Sequence, residues 1–301
     1  MRKKLIAVVG PTAVGKTALA IQLAQHYKTV VLSADSRQFY REMNIGTAKP
    51  DSSELNAVPH YFIDSHSVES VYSAGDFERD ALQLLQELFQ THDQVILVGG
   101  SGLFVRALTE GLDDLPQVPK EIRDRLNQQL AEDGLAKLQD RLKAIDPEHY
   151  AVMDFQNPQR VVRALEVFET TGNSIAFYQK GKQSARNFDV VTIGLNTDRA
   201  FLYERINKRV DKMMHDGLLD EAKELQLFRY HPALQTVGYA ELFDHFEGKI
   251  SLEEAVDKIK QNSRRYAKRQ ITWFKKYGST HWFEPSELQE ILQFLNQSEA
   301  S

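Results

Sequence analysis

The segment GPTAVGKT at residues 10–17 constrains the fold more than any other part of this chain. An apolar run at residues 5–9 precedes it, and apolar side chains at helical spacing follow from Ala18. A strand, a glycine loop and a helix in this order form a phosphate loop, whose backbone N–H groups converge on phosphate oxygens. Lys16 adds a positive charge and Thr17 a hydroxyl for Mg²⁺. The segment predicts a site for a diphosphate or triphosphate, formed by Gly10, Pro11, Thr12, Ala13, Val14, Gly15, Lys16 and Thr17.

The composition indicates a globular chain with a substantial core. Its 301 residues suffice for one large or two modest domains, and 42% of them are hydrophobic. There is no cysteine, which excludes disulfides, thiolate zinc sites and cysteine nucleophiles. No apolar run is long enough to span a bilayer. We therefore expect a cytoplasmic protein that makes no membrane contact.

Two further predicted strands end in residues that suit a ligand site. In open parallel sheets, ligands lie beyond the carboxyl ends of the strands. The strand at residues 29–35 ends in Asp35, which would hold Mg²⁺, accept a proton or cap the next turn. The strand at residues 94–98 is followed by two glycines and Ser101, which is expected to project into the same crevice. It lacks the terminal Asp of many ATP-hydrolysing machines, which counts against that class.

The chain changes character in the middle. Residues 115–119 (LPQVP) introduce a helical pattern, and strand character returns at residues 190–195. The sequence predicts an α/β fold with a P-loop-type parallel sheet flanked by helices, and an inserted all-helical domain. The core domain spans residues 1–114 and 188–301, and the insertion spans 115–187. Within the insertion, Asn157 and Pro158 begin a helix on which Gln159 and Arg163 share a face, either solvated or gripping an anionic partner.

Basic helices follow the insertion. A helix from about residue 198 carries Arg205, Arg209 and Lys212 on one face, which would cover phosphates or form a solvated stripe. The last long helix, at residues 251–277, has eight Lys or Arg residues and no acid between residues 258 and 277, in a chain of net charge −5. Such a run favours contact with a nucleic-acid backbone over a solvated face. The tail from residue 297 is expected to be disordered.

The ordered set of these motifs resembles the tRNA dimethylallyltransferases, also called isopentenyl-tRNA transferases, over almost the whole chain. The matching segments are residues 10–17, 35–38 (DSRQ), 46–50 (GTAKP), 59–64 (PHYFID), 99–104 (GGSGLF), 157–160 (NPQR), 163–166 (RALE), 237–239 (VGY) and 268–273 (KRQITW). Phe104 departs from the pattern, since many members have Tyr there. The chain also lacks the Cys/His zinc module of eukaryotic relatives, so it resembles the bacterial type.

The resemblance implies an activity. Members transfer a dimethylallyl group from dimethylallyl diphosphate to N6 of adenosine 37, next to the tRNA anticodon, and release diphosphate. By position, Asp35 is the expected general base, Thr17 the ligand of Mg²⁺ and diphosphate, and Arg209 the group that steadies the leaving diphosphate. Ser101 is expected beside the base and the acceptor adenine. The phosphate loop also implies nucleotide binding, ATP included.

The resemblance likewise implies the tRNA contacts. A monomer that grips the anticodon stem-loop is expected. The segments that match tRNA-contacting positions contain Asp35, Ser36, Arg37, Gln38, Ser101, Arg123, Gln159, Arg160, Val161, Val162, Arg163, Lys268, Arg269, Gln270, Thr272, Trp273 and Lys275.

Two other functions use the same residues. A P-loop kinase acting on a nucleoside or small metabolite would employ the phosphate loop, with Asp35 as base on a hydroxyl. It would leave the basic final helix and the insertion unexplained. A nucleotide-gated RNA-binding module without chemistry would leave Asp35, Ser101 and Arg209 without a purpose.

Overall fold

Strand β1 (Lys4–Val9) is the centre of a six-stranded parallel sheet with strand order β3-β2-β4-β1-β5-β6. Each of its residues is buried, because it pairs on both sides and helices cover both faces. Val9, its last residue, is in register with Gly99 on one side and Gly194 on the other. The other strands are β2 (Val31–Ser33), β3 (His60–Tyr61), β4 (Gln94–Gly99), β5 (Asp189–Leu195) and β6 (Thr280–Phe283).

The structure is a computed structural model that describes residues 2–179, 185–277 and 279–297. It divides into two units, one formed by Met1–Glu110 with Ala185–Ser301 and the other by Gly111–Ser184. The divisions fall a few residues before the predicted ones at 115 and 187. No helix among the described residues combines the length and apolar character that crossing a bilayer requires.

Alternate residues of β1 pack into different cores. Ile6 and Val8 belong to a cluster with the first helix, whereas Leu5, Ala7 and Val9 belong to a cluster on the other face of the sheet. The helices are α1 (Lys16–Tyr27), α2 (Ser52–Ala57), α3 (Ala74–Leu88), α4 (Gly102–Thr109), α5 (Lys120–Asp133), α6 (Leu135–Ile145), α7 (Pro147–Val152), α8 (Pro158–Thr171), α9 (Ile175–Tyr178), α10 (Arg199–His215), α11 (Leu218–Glu224), α12 (Tyr239–Phe246), α13 (Leu252–Lys276) and α14 (Leu288–Gln297).

A third apolar cluster lies within the first unit, between helices rather than against the sheet. This helical cluster joins the C-terminal part of α10 and the N-terminal part of α13 to α11 and α12. Val210, Leu218, Tyr239 and Ile259 are among its buried members. The first unit therefore has an apolar core at some distance from the sheet as well as the two cores that cover the sheet's faces.

The P-loop-type sheet and the helical insertion are confirmed, and the differences are local. Helix α3 begins at Ala74 rather than at residue 77, because Ser73 and Asp76 cap it reciprocally. Strand β2 has three residues instead of seven, since the chain leaves the sheet at Ala34 to form the turn that carries Asp35. Helix α14 was not predicted. A disordered tail was expected from residue 297, but Gln297 is the last residue of α14. Residues 298–301 lie outside the described residues.

Helices are the regular secondary structure among the described residues of the second unit, which has a core of its own formed by α5, α6 and α8. Asn157 caps α8 by accepting hydrogen bonds from the N–H groups of Gln159 and Arg160, and Pro158 occupies the first turn. The predicted start of this helix is therefore confirmed.

Candidate active site

The phosphate loop connects β1 to α1 in a conformation that requires glycine. Gly10 has φ of 144° and Gly15 φ of 111°, where an L side chain would be strained. A Cβ on Gly10 would also strike the carbonyl group of Leu195 on β5. The loop therefore bends tightly over the ends of the central strands and leads into the N-terminus of α1, where backbone N–H groups and the helix dipole favour an anion.

Lys16 lies within this loop. Its ammonium group donates a hydrogen bond to the carbonyl oxygen of Pro11, at 2.8 Å, and lies beside Gly100 at the end of β4. Burial lowers the pKa of Lys16 to about 8, and the negative charge of Asp35 offsets part of that effect. The ammonium is thus a poorly solvated cation that an anionic ligand would stabilise.

Gln270 supports the loop from α13. Its amide oxygen accepts a hydrogen bond from the N–H of Thr12 at 2.8 Å, and its amide nitrogen donates to the carbonyl of Gly100 at 2.9 Å. The residue is only 5% exposed. A Cβ on Gly100 would displace the Gln270 amide from this position. Gln270 was predicted to contact tRNA, and in this structure its side chain hydrogen-bonds to Thr12 and Gly100 instead.

Asp35 occupies the turn that follows β2. Its Oδ1 accepts a hydrogen bond from the N–H of Arg37 at 3.0 Å, and Oδ2 has no hydrogen-bond partner in the described part of the chain. The Ser33 hydroxyl accepts from the N–H of Asp35 and donates to Gln38. One carboxylate oxygen is therefore fixed, while the other remains able to accept a proton.

Ser101 joins the ends of β2 and β4. Its hydroxyl accepts from the N–H of Ser36 at 3.0 Å and donates to the Ser36 hydroxyl at 3.1 Å. The phenol of Tyr266 interacts with the Ser101 hydroxyl, and burial, together with the charge of Asp35, raises its pKa to about 12. Tyr266 is therefore a neutral hydroxyl at neutral pH. Sequence reasoning did not select Tyr266 as a site residue, because a tyrosine on a long helix carries no motif of its own.

Arg209 reaches the phosphate loop from α10. Its guanidinium donates to the hydroxyl of Thr12 at 3.2 Å. Burial lowers the pKa of Arg209, and Asp35 opposes this effect. The other two cations of the predicted stripe do not line the site. Arg205 is exposed, and Lys212 forms an ion pair with Asp216 at 2.6 Å. Arg209 is thus the member of this stripe that belongs to the site.

Several of these groups line one cavity of about 380 Å³ in the first unit. Its walls are polar near the phosphate loop, where they include Thr12, Asp35, Ser101 and Arg209. They are apolar where they meet the helical cluster, through Val210, Met213, Val237 and Ile259. The structure thus brings together Asp35, Ser101, Arg209 and part of the phosphate loop, and Ser36 and Arg37 also line the cavity. A ligand with an anionic head and an apolar tail would match this distribution.

Several predicted tRNA-contact residues lie on the exposed side of α13. Lys268, Arg269, Thr272 and Lys275 are exposed, whereas Trp273 is half-buried with its ring 4.6 Å from that of Tyr277. Elsewhere on the helix, Lys260 forms an ion pair with Asp211, and Arg264 and Arg265 donate hydrogen bonds to Asn207 and Asn262. The amide of Gln38 donates to the carbonyl of Ala48.

The predicted tRNA-contact residues at 159–163 lie in different environments within the second unit. Val161 and Val162 are 0% and 3% exposed, and their side chains belong to the core of this unit. Gln159 and Arg160 are exposed at the start of α8. Arg123 and Arg163 both pair with the buried Glu166, each at 2.9 Å, so part of their charge is already compensated.

Comparison with known proteins connects this geometry to a family. The family model for IPP transferase matches residues 38–277. The tRNA dimethylallyltransferase of Christiangramia forsetii is 52% identical over 95% of this chain and 95% of its own length. That of Cytophaga hutchinsonii is 50% identical over 98% and 97%, respectively.

Solved structures agree with the sequence comparison. The tRNA isopentenylpyrophosphate transferase of Bacillus halodurans superposes with a TM-score of 0.73 at 39% identity, covering 98% of this chain and 96% of the other. A eukaryotic dimethylallyltransferase acting on tRNA superposes with a TM-score of 0.75 at 26% identity, covering 90% and 69%. The chain therefore belongs to the IPP transferase family and, within it, to the tRNA dimethylallyltransferases.

Proposed function

We propose that this enzyme transfers a dimethylallyl group from dimethylallyl diphosphate to N6 of adenosine 37 in tRNA and releases diphosphate. The observation that carries the proposal is that Asp35 and Arg209 line a cavity whose far end is apolar. Lys16 of the phosphate loop lies close enough for the charges of both residues to act on it. A diphosphate, its allylic carbon and a hydrocarbon tail require these three environments in this order.

The donor's charged end fits the phosphate loop. As the bond between the allylic carbon and the diphosphate oxygen breaks, negative charge accumulates on the leaving group. Lys16 and the N–H groups at the start of α1 would hold it, and the Arg209 guanidinium would add two parallel hydrogen bonds. In a poorly solvated site such donors stabilise the transition state more than they would in water.

Mg²⁺ fits the donors that the loop offers. Thr17 is the second residue of α1, and its hydroxyl makes no hydrogen bond among the described residues. The described residues contain no group of three or more His, Asp or Glu side chains that could hold an ion by themselves. A magnesium ion would therefore be held by Thr17 together with diphosphate oxygens, and it would supply further neutralisation of the leaving group.

The acceptor requires a base. The exocyclic N6 amine of adenine forms the new C–N bond as the C–O bond breaks, and the amine must lose a proton to give the neutral product. Asp35 Oδ2 would accept that proton. The Ser101 and Tyr266 hydroxyls beside it provide hydrogen-bonding groups for the edge of an adenine. A base in an anticodon loop reaches such a cavity only after it leaves its stack.

The tRNA would be gripped outside the cavity. The exposed cations of α13 form a stripe without an intervening acid, which suits the phosphate backbone of the anticodon stem-loop. We propose that the enzyme acts as a monomer, because Asp35, Ser101 and Arg209 all line one cavity of the first unit.

Changing Lys268 and Arg269 together to alanine is expected to raise the KM for tRNA and to reduce the slope of its logarithm against log salt by about two, one unit per lost phosphate contact. The inhibition constant of inorganic diphosphate should not change. Lys208→Ala with Lys249→Ala is the matched control, because both lysines are exposed and already paired with acids. Equal effects in the two double variants would show that α13 is only a solvated face.

The pH dependence of kcat/KM for the donor should follow the ionisation of Lys16. With a pKa of about 8, its charge is present below pH 8 and is lost above it. We therefore expect kcat/KM for the donor to fall above pH 8, approaching about tenfold per pH unit, because only the ammonium form holds the diphosphate. The kcat should stay level to a higher pH, since bound diphosphate raises the pKa of Lys16. In Lys16→Arg, which remains charged, the alkaline limb of kcat/KM should disappear. If kcat/KM still falls above pH 8 in Lys16→Arg, the decrease is caused by the ionisation of another group.

One assay separates this function from a P-loop kinase. The enzyme is incubated with unmodified tRNA and either dimethylallyl diphosphate labelled in its prenyl group or ATP labelled in its γ-phosphate, and a nucleoside is offered as an alternative acceptor. The proposal expects prenyl label in RNA and no transfer of phosphate. Phosphate transfer to the nucleoside, without prenyl label in RNA, would favour the kinase.

A further inference from the structure

The cavity runs along one face of helix α13. Tyr266, Ser263 and Ile259 line it on one face of the helix, and Gln270 continues this face to the phosphate loop. Since a helix rises about 1.5 Å per residue, the distance from Gln270 to Ile259 is about 16 Å along the axis. Gln270 hydrogen-bonds to Thr12, whereas Ile259 is buried in the helical cluster. The cavity therefore extends from the phosphate loop to that cluster.

Residues of helix α10 also line the cavity from the phosphate loop to the helical cluster. Arg209 contacts the hydroxyl of Thr12, and Met213 follows one turn later on the same face. Met213 lines the cavity and also packs against the helical cluster, as does Val237 from the loop before α12. Met213, Val237 and Ile259 thus form an apolar floor at the end remote from the phosphate loop.

The wall next to this floor is held by one carboxylate. Glu221 accepts hydrogen bonds from three consecutive N–H groups, those of Asn44 at 3.0 Å, Ile45 at 2.8 Å and Gly46 at 3.0 Å. It also accepts from the Tyr239 hydroxyl at 2.6 Å. Gly46 lines the cavity and packs so closely on the Tyr239 ring that a Cβ would overlap it. Because such charge-assisted bonds are strong, they stabilise this wall against displacement by a longer ligand.

We propose that Met213 sets the length of the prenyl chain, so that the cavity accepts a five-carbon allylic diphosphate and rejects a ten-carbon one. This inference rests on the proposed function and specifies its donor. With the diphosphate at the phosphate loop and the allylic carbon near Asp35, extra carbons would extend along the cavity toward the floor. Methionine is unbranched and fills such a space closely. Removing its thioether would open the floor in the direction that a longer chain needs.

The test compares two neighbouring methionines. Met213→Ala opens the floor of the cavity, whereas Met214→Ala removes an equal side chain that packs against the same cluster without lining the cavity. For each variant, kcat/KM is measured with dimethylallyl diphosphate and with geranyl diphosphate, and the prenylated nucleosides are identified by mass spectrometry. A single methylene changes specificity by roughly 10–200-fold, so we expect Met213→Ala to raise the geranyl-to-dimethylallyl ratio by at least about 10-fold. The ratio of Met214→Ala should remain that of the unmodified enzyme.

The results that would overturn this inference differ from the result that would contradict the proposed function. A folded Met213→Ala that uses dimethylallyl diphosphate with an unchanged ratio would overturn the inference, as would an equal gain in Met214→Ala. If Met213→Ala does not fold, as judged by its thermal melt, Met213→Phe tests the opposite direction. It should raise the KM for dimethylallyl diphosphate at least about 10-fold while the inhibition constant of inorganic diphosphate is unchanged, and no change in that KM would also overturn the inference. Failure of the unmodified enzyme to use dimethylallyl diphosphate would instead contradict the proposed function.

Discussion

An Asp35→Asn enzyme is expected to bind tRNA and dimethylallyl diphosphate nearly normally and to lose kcat by about 10²–10⁴-fold. Asparagine retains the shape of aspartate and an oxygen that can accept the hydrogen bond from the N–H of Arg37. Its second polar atom is an amide nitrogen, which cannot take the proton from N6. The measurement is single-turnover prenyl transfer at saturating donor and tRNA, with the affinity for each substrate determined separately.

Asp51→Asn is the matched control for this substitution. Asp51 caps α2 and does not line the cavity, and asparagine caps helices as well as aspartate does. Its kcat should equal that of the unmodified enzyme. A near-normal kcat in Asp35→Asn would show that water or the RNA takes the proton, and the assignment of Asp35 as the base would be wrong.

Arg209→Ala is expected to lower kcat by about 10²–10³-fold, the usual effect of removing one preorganised donor to developing charge. In contrast to Asp35→Asn, it should also raise the KM for dimethylallyl diphosphate, because the guanidinium meets the diphosphate before and during bond cleavage. Arg209→Lys should recover only part of the rate, since an ammonium cannot form two parallel hydrogen bonds. Steady-state kinetics with donor as the varied substrate separate these effects.

Arg205 provides the control on the same helix. It lies one turn before Arg209, carries the same charge and is exposed. Arg205→Ala should therefore change neither constant appreciably. If the two arginine variants had equal effects, long-range charge rather than contact with the diphosphate would explain both.

The sequence predicted those parts of the site that depend on order along the chain. The phosphate loop follows from the spacing of Gly10, Gly15 and Lys16 after a strand. Asp35 and Ser101 follow from the rule that ligands lie beyond the carboxyl ends of parallel strands. The all-helical insertion followed from a change in residue pattern at residues 115–119.

Side-chain partners distant in sequence could not be predicted in this way. Gln270 hydrogen-bonds to Thr12, 258 positions away, and nothing in the local pattern of α13 distinguishes it from an exposed residue. Val161 and Val162 lie between polar residues that match tRNA-contacting positions, and only the packing of α8 shows that they are core residues. The spacing of Gln159 and Arg163 likewise indicated a shared face, but not the Glu166 carboxylate that pairs with Arg163.

The central claim is that N6 of adenosine 37 attacks the allylic carbon of dimethylallyl diphosphate while the phosphate loop holds the diphosphate group. The most direct measurement uses dimethylallyl diphosphate labelled at its allylic carbon and two tRNA transcripts that differ only at position 37. One carries adenosine there, and the other carries inosine, which has an oxygen in place of the N6 amine. We expect label only in the adenosine transcript, recovered after digestion as N6-dimethylallyladenosine in equal amount to the released diphosphate. Label in the inosine transcript, or label recovered at any other position, would contradict the claim.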